Sequence, residues 1–120
     1  MRKKILLVSR HAPYGSSLAR EAIDAALAAA IYDQDLSILF MDDGIFQLLK
    51  NQNAQEIQQK DIGSVLSALT YYDIEKIYLH KESLAQRQIA LNELIIEDLY
   101  ELNNTEVASL LNQQDQILSF

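Results

Sequence analysis

Apolar and polar positions along the chain follow two periods. Short apolar runs recur as KILLV at 4–8, DLSILFM at 35–41, IEKIYLH at 74–80, ELIIED at 93–98 and QILSF at 116–120. Runs of this length, rich in Ile, Leu and Val, are what strands of a doubly covered sheet show. Between them lie stretches of helical character. SLAREAIDAALAAAIY predicts a helix over 17–32, with Glu21 and Asp24 near the positive end of its dipole. A second helix is expected over 54–70, and a helical turn at 45–49 leads to the polar KNQNAQ. KESLAQRQI predicts a short helix after the third strand, and NNTEVASLLNQQ a helix capped at Asn104 or Thr105.

Strands that alternate with helices imply βα crossovers. The expected fold class is α/β: a three-layer α/β/α sandwich with a mostly parallel five-stranded sheet, in a single domain over 1–120. The order of the strands is not legible in these signals. The first helix carries a second message, because at about 100° per residue Leu27 and Ile31 fall on the same stripe as Arg20, Glu21 and Asp24. The opposite side holds Leu18, Ala22, Ala25 and Ala29, which already supplies a sheet-facing surface. Leu27 and Ile31 therefore meet either a neighbouring helix or another subunit.

Composition narrows the function. With 49% hydrophobic and 22% charged residues, one Pro and three Gly, the chain is a compact protein and not a disordered one. A net charge of −7 works against direct nucleic-acid binding, which draws its affinity from Lys and Arg displacing counterions. MRKKILLV opens like an export signal, but its apolar run stops at Val8, short of the roughly 7–15 residues an export core needs. No segment approaches the roughly 18 apolar residues of a membrane span, so a cytoplasmic location is expected. Cysteine is absent, which excludes disulfides, thiolate metal ligation and covalent sulfur chemistry on this chain.

In open α/β sheets ligands bind beyond the carboxyl ends of the strands, which places any site on the loops at 9–17, 42–45, 80–83 and 98–104. The first, SRHAPYGSS, has one glycine and matches neither nucleotide-binding motif, so capping and turn formation are its better use. An anion- or nucleotide-binding domain that uses this loop, with Ser16 and Ser17, is the rival from another functional class. A phosphorylated receiver domain is rejected: the first strand ends in Ser9, Arg10 and His11, the third in His80, and no lysine follows the fifth. His11 and His80 form no metal-binding motif, no G-x-S-x-G elbow is present, and no catalytic residue, cofactor or metal is expected.

MDDGIFQLLKNQ at 41–52 is the most suggestive stretch. Adjacent residues leaving a strand point to opposite sides, so Asp42 and Asp43 do not converge on one proton or metal. Asp43-Gly44 reads as turn chemistry, with a carboxylate free to cap the helical turn that follows. Ile45, Phe46, Leu48 and Leu49 lie within one and a half turns and cannot all face one way. Ile45, Phe46 and Leu49 are candidate contact residues for a partner.

The segments APYGSSLAREAIDAALAAA, ILFMDDGIFQLLKNQ, YYDIEKIYL and DQILSF, in this order and spacing, resemble the TusC/DsrF family of sulfur-relay (DsrE/F/H-like) proteins across essentially the whole chain. The resemblance implies a five-stranded parallel α/β/α fold and a heterohexamer built with TusB-like and cysteine-bearing TusD/DsrE-like subunits. It implies a complex that takes persulfide sulfur from a TusA-like carrier and passes it to a TusE-like one, for 2-thiolation of wobble uridine in tRNA. A related complex, and a homo-oligomeric DsrF-like protein, would serve sulfur oxidation instead. In the cysteine-bearing branch the sulfur carrier sits in a segment resembling C-x-A-A-x-x-R-R-G. Matched through Ser83, Leu84 and Arg87, that cysteine falls on His80 here, and Gln88 stands where the glycine is usual. Without cysteine the chain is expected to be a non-catalytic subunit.

Overall fold

The computed structural model describes residues 3–11, 21, 24, 25, 28, 35–49, 76–94 and 99–120. Five strands, β1 (Lys4–Ser9), β2 (Asp35–Phe40), β3 (Lys76–His80), β4 (Tyr100–Leu102) and β5 (Gln116–Ser119), form one sheet in the order β4-β3-β2-β1-β5. All four pairings are parallel, from Lys4 opposite Asp35 to His80 opposite Leu102. The chain therefore steps outward from β1 to β4 and returns to place β5 on the far side of β1.

Alternation along the strands divides the core between two faces. Leu7, Ile38, Phe40, Ile77 and Leu79 point to one face and pack with Ile45, Leu48, Leu84 and Leu94. Leu6, Val8 and Leu39 point to the other, under Val107 and Leu110. Two α-helices are described in full, α1 (Lys81–Gln86) and α2 (Asn104–Asn112), and a 3-10 segment spans Asp42–Leu48. Leu84 brings α1 to the first face and Val107 brings α2 to the second, so the sheet is the middle of three layers. This is the expected α/β/α architecture.

Within the helix expected at 17–32, the described residues Glu21, Asp24, Ala25 and Ala28 are helical. Ala25 packs on the core while Glu21, Asp24 and Ala28 are exposed. Leu27 and Ile31 lie outside the described residues, as does the helix expected at 54–70.

Three expectations are corrected. The strand expected at 93–98 is placed later among the described residues: Leu91–Glu93 is a 3-10 turn, Leu94 is buried in an isolated antiparallel bridge with Leu49, the fourth strand is Tyr100–Leu102, and 95–98 lie outside the described residues. A short apolar run supports core packing as readily as strand pairing, and here Leu94 is drawn into the core by Leu49. The cap of α2 is Asn103, not Asn104 or Thr105. Asn103 Oδ1 accepts from Glu106 N–H at 2.8 Å, and a Glu106 carboxylate oxygen accepts from Asn103 N–H at 3.1 Å, a reciprocal capping box. Finally, the helical turn expected at 45–49 begins earlier, at Asp42, and neither aspartate caps it; Met41 occupies the cap position without a side-chain hydrogen bond.

Candidate functional site

The strand order brings the carboxyl ends of β2, β3 and β4 side by side, so residues 42–45, 80–83 and 103–104 share one edge. His80, the last residue of β3, stands between the other two. Its Nδ1 lies 2.5 Å from Ser83 Oγ and its Nε2 lies 2.6 Å from Asn104 Oδ1. Asn104 Nδ2 donates to Glu82 Oε2 at 2.8 Å, and the Asp42 N–H donates to Ser83 Oγ at 2.9 Å. His80 is thus hydrogen-bonded at both ring nitrogens. Ser83, His80 and Asn104 list the residue types of a nucleophile, a base and its orienter, but the Ser83 residue is only 1% exposed, so no substrate reaches its hydroxyl.

The two aspartates diverge as adjacent residues must. Asp42 accepts from Arg10 Nε at 3.2 Å, and Asp43 accepts from Arg87 Nη2 at 2.9 Å. Their work is to tie the 3-10 segment to the end of β1 on one side and to the end of α1 on the other. Arg87 also donates to the Ser83 carbonyl at 3.2 Å and stands 5.9 Å from the centre of the Phe46 ring. A guanidinium over an aromatic face is attracted by the ring quadrupole, so Phe46 is partly covered from within the chain.

Gly44 explains the rest of the DDG motif. A Cβ at this position would stand 2.0 Å from the Ser9 carbonyl oxygen, so the 3-10 segment approaches the end of β1 at a distance only glycine permits. Gln47, the single polar residue in IFQLL, is fully buried and donates to Ser9 Oγ at 2.6 Å and to the His11 carbonyl at 2.9 Å. A lone polar residue inside an apolar run was the signal for this anchor.

Of the candidate contact residues, Ile45 is fully buried and belongs to the core of the chain itself, which removes it from any surface. Phe46 and Leu49 are half-buried. The large apolar residues most exposed among those described are Leu91, Tyr100 and Ile117, none of which periodicity had singled out. Tyr100 and Ile117 lie on β4 and β5, the outer strands of the described sheet, a position that a period-2 pattern does not reveal. The Tyr100 ring leans against Tyr78 at 5.7 Å between centroids.

Among the described residues no three His, Asp or Glu side chains gather as metal ligands, and His11 does not approach His80 through any hydrogen bond described. No helix among them is long and apolar enough to cross a membrane. Ser16 and Ser17, on which the anion-binding alternative depends, lie outside the described residues.

Comparison with known proteins places this geometry. The model of the DsrE/DsrF-like family matches residues 3–120. A TusC homolog of Vibrio parahaemolyticus is 41% identical over 111 residues, covering 92% of this chain and 93% of that protein. The intracellular sulfur oxidation protein DsrF of Allochromatium vinosum is 31% identical over 131 residues, covering 98% and 96%. Among solved structures, the ychN protein from E. coli superposes with a TM-score of 0.84 at 27% identity over the whole of both chains.

Proposed function

The chain belongs to the DsrE/DsrF-like family, and from that membership we propose that it is a non-catalytic subunit of a TusBCD-type sulfur-relay complex supporting 2-thiolation of wobble uridine in tRNA. What supports a non-catalytic role is the composition: the 120 residues include no cysteine, so no persulfide forms on this chain. His80, matched to the sulfur-carrying position of the cysteine-bearing branch, has both ring nitrogens engaged in hydrogen bonds. The partners are a TusB-like subunit and a cysteine-bearing TusD/DsrE-like subunit in the cytoplasm, in a complex that receives sulfur from a TusA-like carrier and delivers it to a TusE-like one. Contact, not chemistry, is the contribution of this chain, with Phe46 and Leu49 at the half-buried surface of the 3-10 segment. The strongly acidic balance leaves tRNA contact to other components.

The test is deletion of the gene followed by mass-spectrometric quantification of 2-thiouridine in tRNA. The expected result is its loss, restored by the wild-type chain, together with co-purification of a cysteine-bearing DsrE-type protein. Unchanged 2-thiouridine would sink the tRNA role. The likeness to DsrF, which covers 98% of this chain, supports sulfur oxidation as the second reading, and unchanged tRNA with impaired sulfur oxidation would select it.

A further inference from the structure

We infer that His80 is a positioning residue: its imidazole, held with a proton on Nε2, ties the ends of β2, β3 and β4 into one rigid surface. The ends of the network set the direction of the hydrogen bonds at Asp42 and at His80 Nε2. At one end the Asp42 N–H can only donate, and it donates to Ser83 Oγ at 2.9 Å. At the other, Asn104 Nδ2 donates to the Glu82 carboxylate at 2.8 Å, which turns Asn104 Oδ1, an acceptor, towards the imidazole. At 2.6 Å from that oxygen, His80 Nε2 must carry the hydrogen. The buried Ser83 hydroxyl keeps its own hydrogen while it accepts from Asp42, and at 2.5 Å it is placed to donate that hydrogen to Nδ1.

The chain of bonds therefore runs Asp42 N–H to Ser83 O–H to His80 Nδ1 on one side, and His80 Nε2–H to Asn104 to Glu82 on the other. It crosses from the 3-10 segment to α1 and from β3 to the start of α2, and the Arg87–Asp43 pair lies beside it. The two ring nitrogens hold different loops: Nδ1 the Asp42 side, Nε2 the Asn104 side. That division makes the role separable from simple space filling. Asparagine places a polar atom near the position of Nδ1, and glutamine places one near Nε2.

Hydrogen exchange on the full chain, with His80→Asn and His80→Gln compared, tests this. His80→Asn is expected to keep the Ser83 bond and lose Asn104, raising amide exchange about fivefold over 100–106 while 41–49 stays protected. His80→Gln is expected to do the reverse. With only two histidines in the chain, the Nε2–H proton is assignable by NMR in 15N-histidine-labelled protein, and it should be slow to exchange in the wild type and lost in Asn104→Ala. Equal effects of Asn and Gln on both loops, or a His80 that carries its proton on Nδ1, would overturn the inference. That the cysteine-bearing partner docks on this surface rests on the proposed function and is read separately, from co-purification with the His80 variants. A complex that fails to form with the wild-type chain defeats the proposed function alone, whereas the exchange pattern decides the role of His80.

Discussion

Two segments leave neighbouring strand ends at the same edge of the sheet and are held there by opposite means. The 3-10 segment Asp42–Leu48 turns inward: Gly44, Ile45, Gln47 and Leu48 are all buried. The corner from Tyr100 to Glu106 is outward, with β4 only three residues long and largely exposed, and it is fixed by the Asn103–Glu106 capping box and the His80–Asn104 bond. Burial dominates in the first and exposed hydrogen bonds in the second. Close-packed contacts have little slack, whereas a solvent-facing hydrogen bond exchanges readily with water. The first segment should therefore respond to substitution by losing the fold, and the second by loosening locally.

Gly44→Ala is the most severe way to break this comparison. The added methyl would sit 2.0 Å from the Ser9 carbonyl oxygen, and backbone, not a flexible side chain, is what must move. The expected loss is about 3 kcal/mol or more, read as a collapse of the urea midpoint or failure to obtain folded protein. A midpoint equal to wild type would mean that the close approach to β1 does not exist. Leu48→Ala comes next. Leu48 is fully buried among Phe40, Ile45 and Leu94, so the deletion leaves a cavity and should cost about 2–5 kcal/mol.

On the hydrogen-bonded side, Asn103→Ala removes the cap of α2 and leaves the Glu106 N–H without its side-chain acceptor, with an expected loss of about 1 kcal/mol by urea denaturation. Val107 and Leu110 keep α2 on the sheet, so the fold should survive and exchange should rise in its first turn only. A loss as large as that of Leu48→Ala would show that the corner is packed as tightly as the 3-10 segment, and the contrast would fail.

Sequence pattern revealed the sheet, because the runs at 4–8, 35–41, 74–80 and 116–120 are short, apolar and punctuated by polar residues, and each became a strand. It failed at ELIIED and YEL for one physical reason. Leu94, the described apolar residue of the run, is core packing in a bridge with Leu49, while the described strand is a polar edge element stabilised by pairing with β3 and by the Tyr78–Tyr100 contact. The aspartates were legible as non-convergent, since that follows from adjacent positions alone. Their partners were not, because Arg10 and Arg87 lie 32 and 44 residues away and meet them only once the strand order is known. The same holds for His80, whose bond to Asn104 spans 24 residues between neighbouring strands.

The smallest prediction concerns two residues in the left-handed region, one on each side of the Arg87–Asp43 pair. Gln88 has φ 55° and Asp42 has φ 51°. Gln88 follows the end of α1, where its N–H donates to the Ala85 carbonyl at 3.2 Å and the Ile89 N–H donates to the Leu84 carbonyl at 3.1 Å. This is the Schellman termination, whose residue after the cap favours glycine because a Cβ is strained there. The resemblance to the cysteine-bearing branch had marked the same position as a glycine. Gln88→Gly should therefore raise stability by about 0.5–1 kcal/mol, the relief of backbone strain outweighing the added entropy of the unfolded chain. Asp42→Gly relieves a similar strain but gives up the Arg10 carboxylate contact, a half-exposed pair worth about 0–1 kcal/mol, so its net change should lie near zero. A urea midpoint that rises for Gln88→Gly and stays still for Asp42→Gly separates backbone strain from side-chain anchoring. Equal gains at both would mean that the Arg10–Asp42 pair holds nothing in place.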